Sequence, residues 1–271
     1  AIICFGMMKV FKLGTNFAIP TVFTNLNSFT LMAIPFFVFS GGLMAKSKMS
    51  SKIVDFLNSI VGQIKGGLGF VVIISCGFYG AITGSSGAAI SAIGAAILPE
   101  LDRYGYDRKY STALLACSGL LGQLIPPSIP LILFGMITGT SVAACWLSTV
   151  IPGSLLIIIY GIINYFFCRK NAEIKEIRKI SFNNIIDSAR SGLFSLLMPV
   201  IVLGGIYSGL FTPTEGAAIG IIYVLLIGFI IYRNLSIKDF LSVTKESVSM
   251  LGSIIFILMF ILILSRIFTL E

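Results

Sequence analysis

Long apolar runs separated by short basic segments organise this chain. Apolar stretches at 28–45, 145–168, 191–211, 215–232 and 250–268 are near the roughly 17–25 residues a helix needs to cross a bilayer core. Each predicts a spanning helix. A different period appears at 48–65, where Ile53, Phe56, Leu57, Ile60 and Ile64 fall on one helical face among Lys46, Lys48, Lys52 and Lys65. That pattern predicts an amphipathic helix lying in the membrane interface; a connector packed on the protein is the plainer alternative. The segment 236–248 reads the same way and opens with a Ser236-x-x-Asp239 capping box.

Two apolar runs are interrupted. The run from 67 to about 99 contains Gly84, Ser85, Ser86 and Gly87, and is too long for one ordinary span. Lys65 precedes it and Arg103, Arg108 and Lys109 follow it, so both ends sit on a basic side and a re-entrant hairpin is predicted. The run 110–142 contains Gly122, Pro126, Pro127 and Pro130. Proline removes an N–H donor and clashes with the preceding turn, so a break over 122–130 is predicted. Irregular backbone survives at membrane depth only when buried in protein or lining a wet cavity. Gly84, Ala88, Ala92 and Ala96 at four-residue spacing read as a close-packing ladder.

Composition fixes the class. Of 271 residues, 56% are hydrophobic and 11% charged, where a soluble domain carries roughly 25% charged residues. The chain is an all-α polytopic membrane protein. Its net charge of +8 is not a nucleic-acid signal, because 16 of the 19 Lys and Arg lie in 46–66, 100–109, 169–190 and 233–247. Cytoplasmic loops show that enrichment; Lys9 and Lys12 then fall on the other side. Histidine is absent, which removes the usual relay for protons and the commonest metal ligand. Cys4, Cys76, Cys117, Cys145 and Cys168 lack C-x-x-C spacing and read as small buried hydrophobes. The first residues, "AIICFGMMKVF", resemble the end of a span, and the chain is expected to be an internal part of a longer protein.

The interruptions carry the candidate chemistry. Thr83, Ser85, Ser86 and Ser128, with carbonyls freed at each break, offer the oxygen donors that hard cations prefer. No acidic, basic or histidine residue lies within 67–99 or 110–142; a proton site wants a titratable group and a sodium site does not. Half-helix N-termini favour anions and unwound carbonyls favour Na⁺. Thr212, Pro213 and Glu215 fit a structural capping box with Pro at N1. Enzyme chemistry is set aside: "YGYD" lies in a basic loop with no second intramembrane Asp, and "GSSG" has no histidine base.

In order, "FTLMAIPFFVFSGGLM", "GAITGSSGAAISAIGAAILPEL", "GYDRKYSTALLACSGLLGQLIPPSIPLILFG", "IPGSLL" and "FTPTEGAA" resemble the large membrane subunit of tripartite ATP-independent periplasmic (TRAP) transporters. The resemblance implies a multi-pass protein of the bacterial cytoplasmic (inner) membrane. It also implies Na⁺-coupled import of a small organic acid, of the C4-dicarboxylate or sialic-acid type. A periplasmic substrate-binding protein and a small membrane subunit, separate or fused, are the implied partners.

An elevator is implied: scaffold spans at 1–47 and 169–232, arm helices at 48–66 and opening 233–271, a transport-domain hairpin at 67–102, a broken helix at 108–142 and a span at 143–168. Carried over by match, Thr83, Gly84, Ser85 and Ser86 face Gly122, Leu124, Ile125, Pro126, Pro127 and Ser128 across a sodium site. Ser86, Gly87 and Ser128 are implied on the substrate side. The family's second hairpin and second break are not found, so these residues alone are not expected to transport. A one-component sodium–carboxylate symporter and a non-transporting membrane scaffold are the competing readings.

Overall fold

The computed structural model describes residues 18–62, 66–171 and 182–269. Among them every regular element is helical. After α1 (Ala18–Leu26), a 3₁₀ turn at Phe29–Met32 leads into α2 (Ala33–Lys46). Helix α2 packs against α11 (Pro213–Leu226), with α10 (Phe182–Tyr207) and α12 (Ile237–Thr269) completing that group. The second group holds α4 (Gly67–Thr83), α5 (Ser86–Arg103), α6 (Arg108–Gly119), α7 (Leu121–Leu124), α8 (Ile129–Thr138) and α9 (Val142–Lys170). Between them α3 (Met49–Val61) packs on both α10 and α4.

The hairpin is α4 against α5. Its reversal takes only Gly84 and Ser85: Gly84 caps α4 at φ 61°, and the Ser85 side chain caps α5 by accepting from Ala88 N. A left-handed residue at this point needs glycine. Ser86 and Gly87, expected in the reversal, form the first turn of α5. The break is likewise narrower than 122–130. Gly122 is helical, Pro130 sits in the first turn of α8, and the irregular residues are 125–128. Proline is accepted in a first turn because the N–H there has no helical partner anyway.

Among the described residues six helices are long and apolar enough to cross a membrane, by length and composition. Helix α9 shows what that means for packing. It turns Ile151, Leu155, Ile158 and Ile162 outward, Ile151 being 78% exposed, and buries Gly153, Gly161, Asn164 and Cys168. Such a stripe is ordinary for a lipid-embedded helix and a liability in water.

Several expectations need correcting. Helix α3 buries Met49, Ile53, Val54 and Leu57, whereas Ile60 is 41% exposed; Ile64 lies outside the described residues. The buried face is rotated toward Val54 because α3 is clasped between two neighbours rather than resting on one plane. The arm expected at 236–248 and the span at 250–268 form one helix, α12. The Ser236–Asp239 box is present at its start, Ser236 N donating to Asp239 Oδ2 at 3.0 Å and Asp239 N to Ser236 Oγ at 3.1 Å. No proline follows to stop it. Cys76, Cys145 and Cys168 are buried, but Cys117 is exposed, on the outward side of α6; Cys4 lies outside the described residues. The ladder at Ala88 and Ala92 lines a cavity, and α5 packs through Ala89, Ile93, Gly94, Ile97 and Leu101 instead.

Candidate functional site: the seam between the hairpin tip and the broken helix

Two helices that start at the same end of the molecule build the site. Helix α4 is 17 residues long, roughly 25 Å at 1.5 Å per residue. Helices α6 and α7, joined through Leu120, run beside it over the same length. Their common base is fixed by buried Asn164 of α9: its Nδ2 donates to Gly66 O at 2.8 Å, and its Oδ1 accepts from Tyr110 Oη at 3.1 Å. Tyr110 also stacks on Phe167 with ring centroids 3.5 Å apart. Equal lengths from a common base bring the two C-terminal ends together at the reversal and the break.

Glycines permit the approach. A Cβ at Gly80 would lie 2.1 Å from Gly122 Cα, and one at Gly122 would lie 3.2 Å from Ser85 O. A Cβ at Gly84 would stand 2.8 Å from Pro127 O and 3.2 Å from Ile129 N. Tip and break therefore meet backbone to backbone.

The polar groups at this seam are carbonyls, amides and hydroxyls. Pro126 and Pro127 have no N–H, so the carbonyls of Gly122 and Gln123 have no i+4 helical donor. Thr83 Oγ1 donates to Tyr79 O at 3.1 Å and accepts from Ser85 N at 3.4 Å. Ser128 is fully buried, and its Oγ has no hydrogen-bond partner. Its carbonyl accepts from Trp146 Nε1 at 3.3 Å. The ends of α4 and α7 point negative dipole ends here, while α5 and α8 start here with positive ones. A buried hydroxyl without a partner, beside carbonyls without helical donors, has the chemistry of a hard-cation site. Among the described residues no three His, Cys, Asp or Glu side chains gather as a metal cluster.

Across all 271 residues the chain matches the family model "Tripartite ATP-independent periplasmic transporter, DctM component". The chain belongs to this family. Among curated TRAP relatives, it is 36% identical over 236 residues to the sialic acid TRAP transporter large permease protein SiaM of Vibrio cholerae, covering 87% of this chain and 55% of that one. It is 36% identical over 241 residues to the C4-dicarboxylate large permease protein DctM of Pseudomonas aeruginosa, covering 89% and 55%. The 2,3-diketo-L-gulonate large permease protein YiaN of Escherichia coli is 33% identical over 216 residues, covering 80% and 51%. The chain spans about half the length of the curated relatives it matches. TRAP membership makes it a transporter component, not an enzyme, and a protein of the inner membrane.

The TRAP seam brings together most, not all, of the residues picked from sequence. Thr83, Gly84, Ser85, Gly122, Pro127 and Ser128 line it through the contacts above. Leu124 and Ile125 turn their side chains to Gly153 of α9 and offer only backbone. Gly87 is exposed, with nothing nearer than Ser85 Oγ at 4.0 Å from a Cβ placed on it; it does not join Ser128. Two seam residues were not legible. Gln123 Nε2 donates to Ser86 Oγ at 3.1 Å across the tip, and Trp146, fully buried against Phe37, holds the Ser128 carbonyl. Being the one tryptophan of the chain was the available signal for Trp146. Beside the tip, between α2, the hairpin and α12, lies a cavity of about 390 Å³ that includes Tyr79, Ser91, Lys46 and Glu246.

Proposed function

We propose that the full-length protein imports a small organic acid, of the sialic-acid or C4-dicarboxylate type, driven by Na⁺, and that the tip–break seam is one of its sodium sites. The observation that carries this is the buried, partnerless Ser128 hydroxyl beside carbonyls stripped of helical donors by Pro126 and Pro127. Thr83, Ser85 and Ser86 supply further oxygens from the hairpin side. Bound there, Na⁺ would neutralise two converging helix C-termini, so its departure would weaken the contact between tip and break.

The substrate reading is supported by the sialic acid and C4-dicarboxylate for which the relatives are named, and by the N-termini of α5 and α8, whose dipole ends favour a carboxylate. A periplasmic binding protein delivers the substrate, and a small membrane subunit, separate or fused, braces the permease. The mechanism is an elevator. The helices from α4 to α9 move as a body against α2, α10, α11 and α12, with α3 and the start of α12 as arms. Packing supports this division, since the hairpin, broken helix and α9 contact one another more extensively than they contact α10 or α2.

The test is uptake of labelled sialic acid or C4-dicarboxylate by the full-length membrane complex in proteoliposomes, with its binding protein, with and without an inward Na⁺ gradient. Uptake is expected to need both. The Ser86→Ala, Ser128→Ala double variant is expected to lose the Na⁺ dependence. Equal uptake with and without Na⁺ sinks the sodium reading, and uptake without a binding protein indicates a one-component symporter.

A further inference from the structure

Within 67–99 and 110–142, the stretches that build the hairpin and the broken helix, no residue is charged and none is histidine. Ion pairs within those stretches therefore cannot hold the tip to the break. Glycine contacts let the backbones meet, but apolar contact between lipid-embedded helices has no hydrophobic driving force behind it. The register has to come from packing and hydrogen bonds. One carboxamide occurs in the two stretches, Gln123. It occupies the last helical turn before the break, and its Nε2 donates to the Ser86 hydroxyl, 37 residues away, at 3.1 Å.

We propose that Gln123 is the positioning residue of the seam: it holds Ser86 against the broken helix and so sets the affinity of the site for Na⁺. This rests on the sodium reading above. The geometry gives the amide this task and not that of a ligand. Its N–H occupies one lone pair of Ser86 Oγ, which leaves the second lone pair and the rotatable O–H for other partners. Ser86 is in the first turn of α5, so a hydrogen bond at its side chain also fixes where the tip's backbone stands. Gly122, which meets Gly80 and Ser85, is the residue before Gln123. Side chain and backbone thus clamp the tip at adjacent positions.

The experiment is a Na⁺ titration of thermal stability on the purified full-length permease, with K⁺ holding ionic strength constant. Gln123→Leu is expected to raise the half-saturating Na⁺ concentration by about 3- to 10-fold, the range of one net hydrogen bond. Gln123→Glu, which can still accept from the Ser86 hydroxyl, is expected to stay at or below the wild-type concentration. In a Ser86→Ala background, Gln123→Leu is expected to add no further shift, because the two residues act through one bond. If Gln123→Leu does not fold, Gln123→Met keeps the length of the side chain and serves in its place. An unshifted titration in Gln123→Leu or Gln123→Met overturns the proposal, and so does a Gln123→Leu effect that adds in full to that of Ser86→Ala. A wild-type protein stabilised equally by Na⁺ and K⁺ overturns the sodium reading and this proposal together.

Discussion

Gly80 and Gly122 stand so close that a single methyl group on the first would lie 2.1 Å from the Cα of the second. The contact joins α4 to the end of the broken helix one turn before each is interrupted. Gly80→Ala must therefore push hairpin and broken helix apart. The expected cost is about 1–3 kcal/mol, the usual range for an extra carbon in a tight core, read as a fall in the melting temperature of the solubilised protein. Na⁺-dependent uptake is expected to be lost with it. Gly204→Ala is the matched control: a Cβ there meets nothing within 4 Å, and the variant should melt at or slightly above wild type. A Gly80→Ala protein as stable and active as wild type would show that the seam is looser than its backbone contact indicates.

At the other end of the same helices, Asn164 and Gly69 are matched in the same way. A Cβ on Gly69 would sit 2.0 Å from Asn164 Oδ1. Asn164→Ala removes the amide donor to the Gly66 carbonyl, which keeps Gly69 N and Phe70 N, and leaves the Tyr110 hydroxyl without its acceptor, an expected loss of about 1–3 kcal/mol. Gly69→Ala alone is expected to be at least as damaging, because the amide has no room to retreat. In the Asn164→Ala background the clash is gone, so Gly69→Ala should cost less there than in wild type. Melting temperatures of the four proteins decide it; strict additivity would separate the two residues.

Local chemistry explains which of these features could be read without coordinates. Gly84, Pro126 and Pro127 act on their own backbone, so the hairpin and the break were legible from residue type and spacing, as was the Thr212 cap. Gln123, Trp146 and Asn164 act on partners 37, 18 and 98 residues away. Nothing local marks a glutamine in one turn of helix, or an asparagine in a span, as the group that crosses to another element. The same limit produced the errors. A change from polar to apolar composition near 249 looked like a boundary, yet a helix continues through such a change unless something removes its hydrogen bonds, and α12 does. Cys117 looked buried because its neighbours are apolar, which in a bilayer says nothing about facing inward.

Two acids near the base of the hairpin give a pH-dependent expectation. Burial raises the pKa of Asp55 on α3, and Lys52 opposes that shift. Glu100 on α5 is raised first by burial and then by the Asp55 charge, with Arg103 opposing. A carboxyl whose folded pKa is raised binds its proton more tightly folded than unfolded. Stability from this source is therefore fully present below the ordinary 4.5 of a glutamate and is lost as pH rises through the raised value. Glu100→Gln removes one of the two charges. The variant is expected to melt above wild type at pH 7, with the gap closing as the pH approaches 4.5. A gap that stays constant with pH would assign the effect to packing instead.

Glu215 is the acidic residue at the edge of an apolar helix, and the structure gives its carboxylate a local task. Thr212 N donates to Glu215 Oε2 at 2.8 Å and Thr212 Oγ1 to the same oxygen at 2.9 Å, while Glu215 N donates back to Thr212 Oγ1 at 3.3 Å. Pro213 occupies the position where a missing N–H costs nothing, and Thr214 Oγ1 donates to Phe29 O at 3.1 Å, tying the start of α11 to the entry of α2. A capping box accepts glutamine as well as glutamate, and this separates a cap from a charged ligand. Glu215→Gln is expected to keep both its melting temperature and its Na⁺-dependent uptake. Thr212→Ala is expected to lose about 1 kcal/mol of stability, the usual worth of an N-cap, with the Na⁺ requirement of the surviving protein unchanged. Loss of Na⁺-dependent uptake in Glu215→Gln, with stability intact, would move this carboxylate from the helix end into the transport machinery.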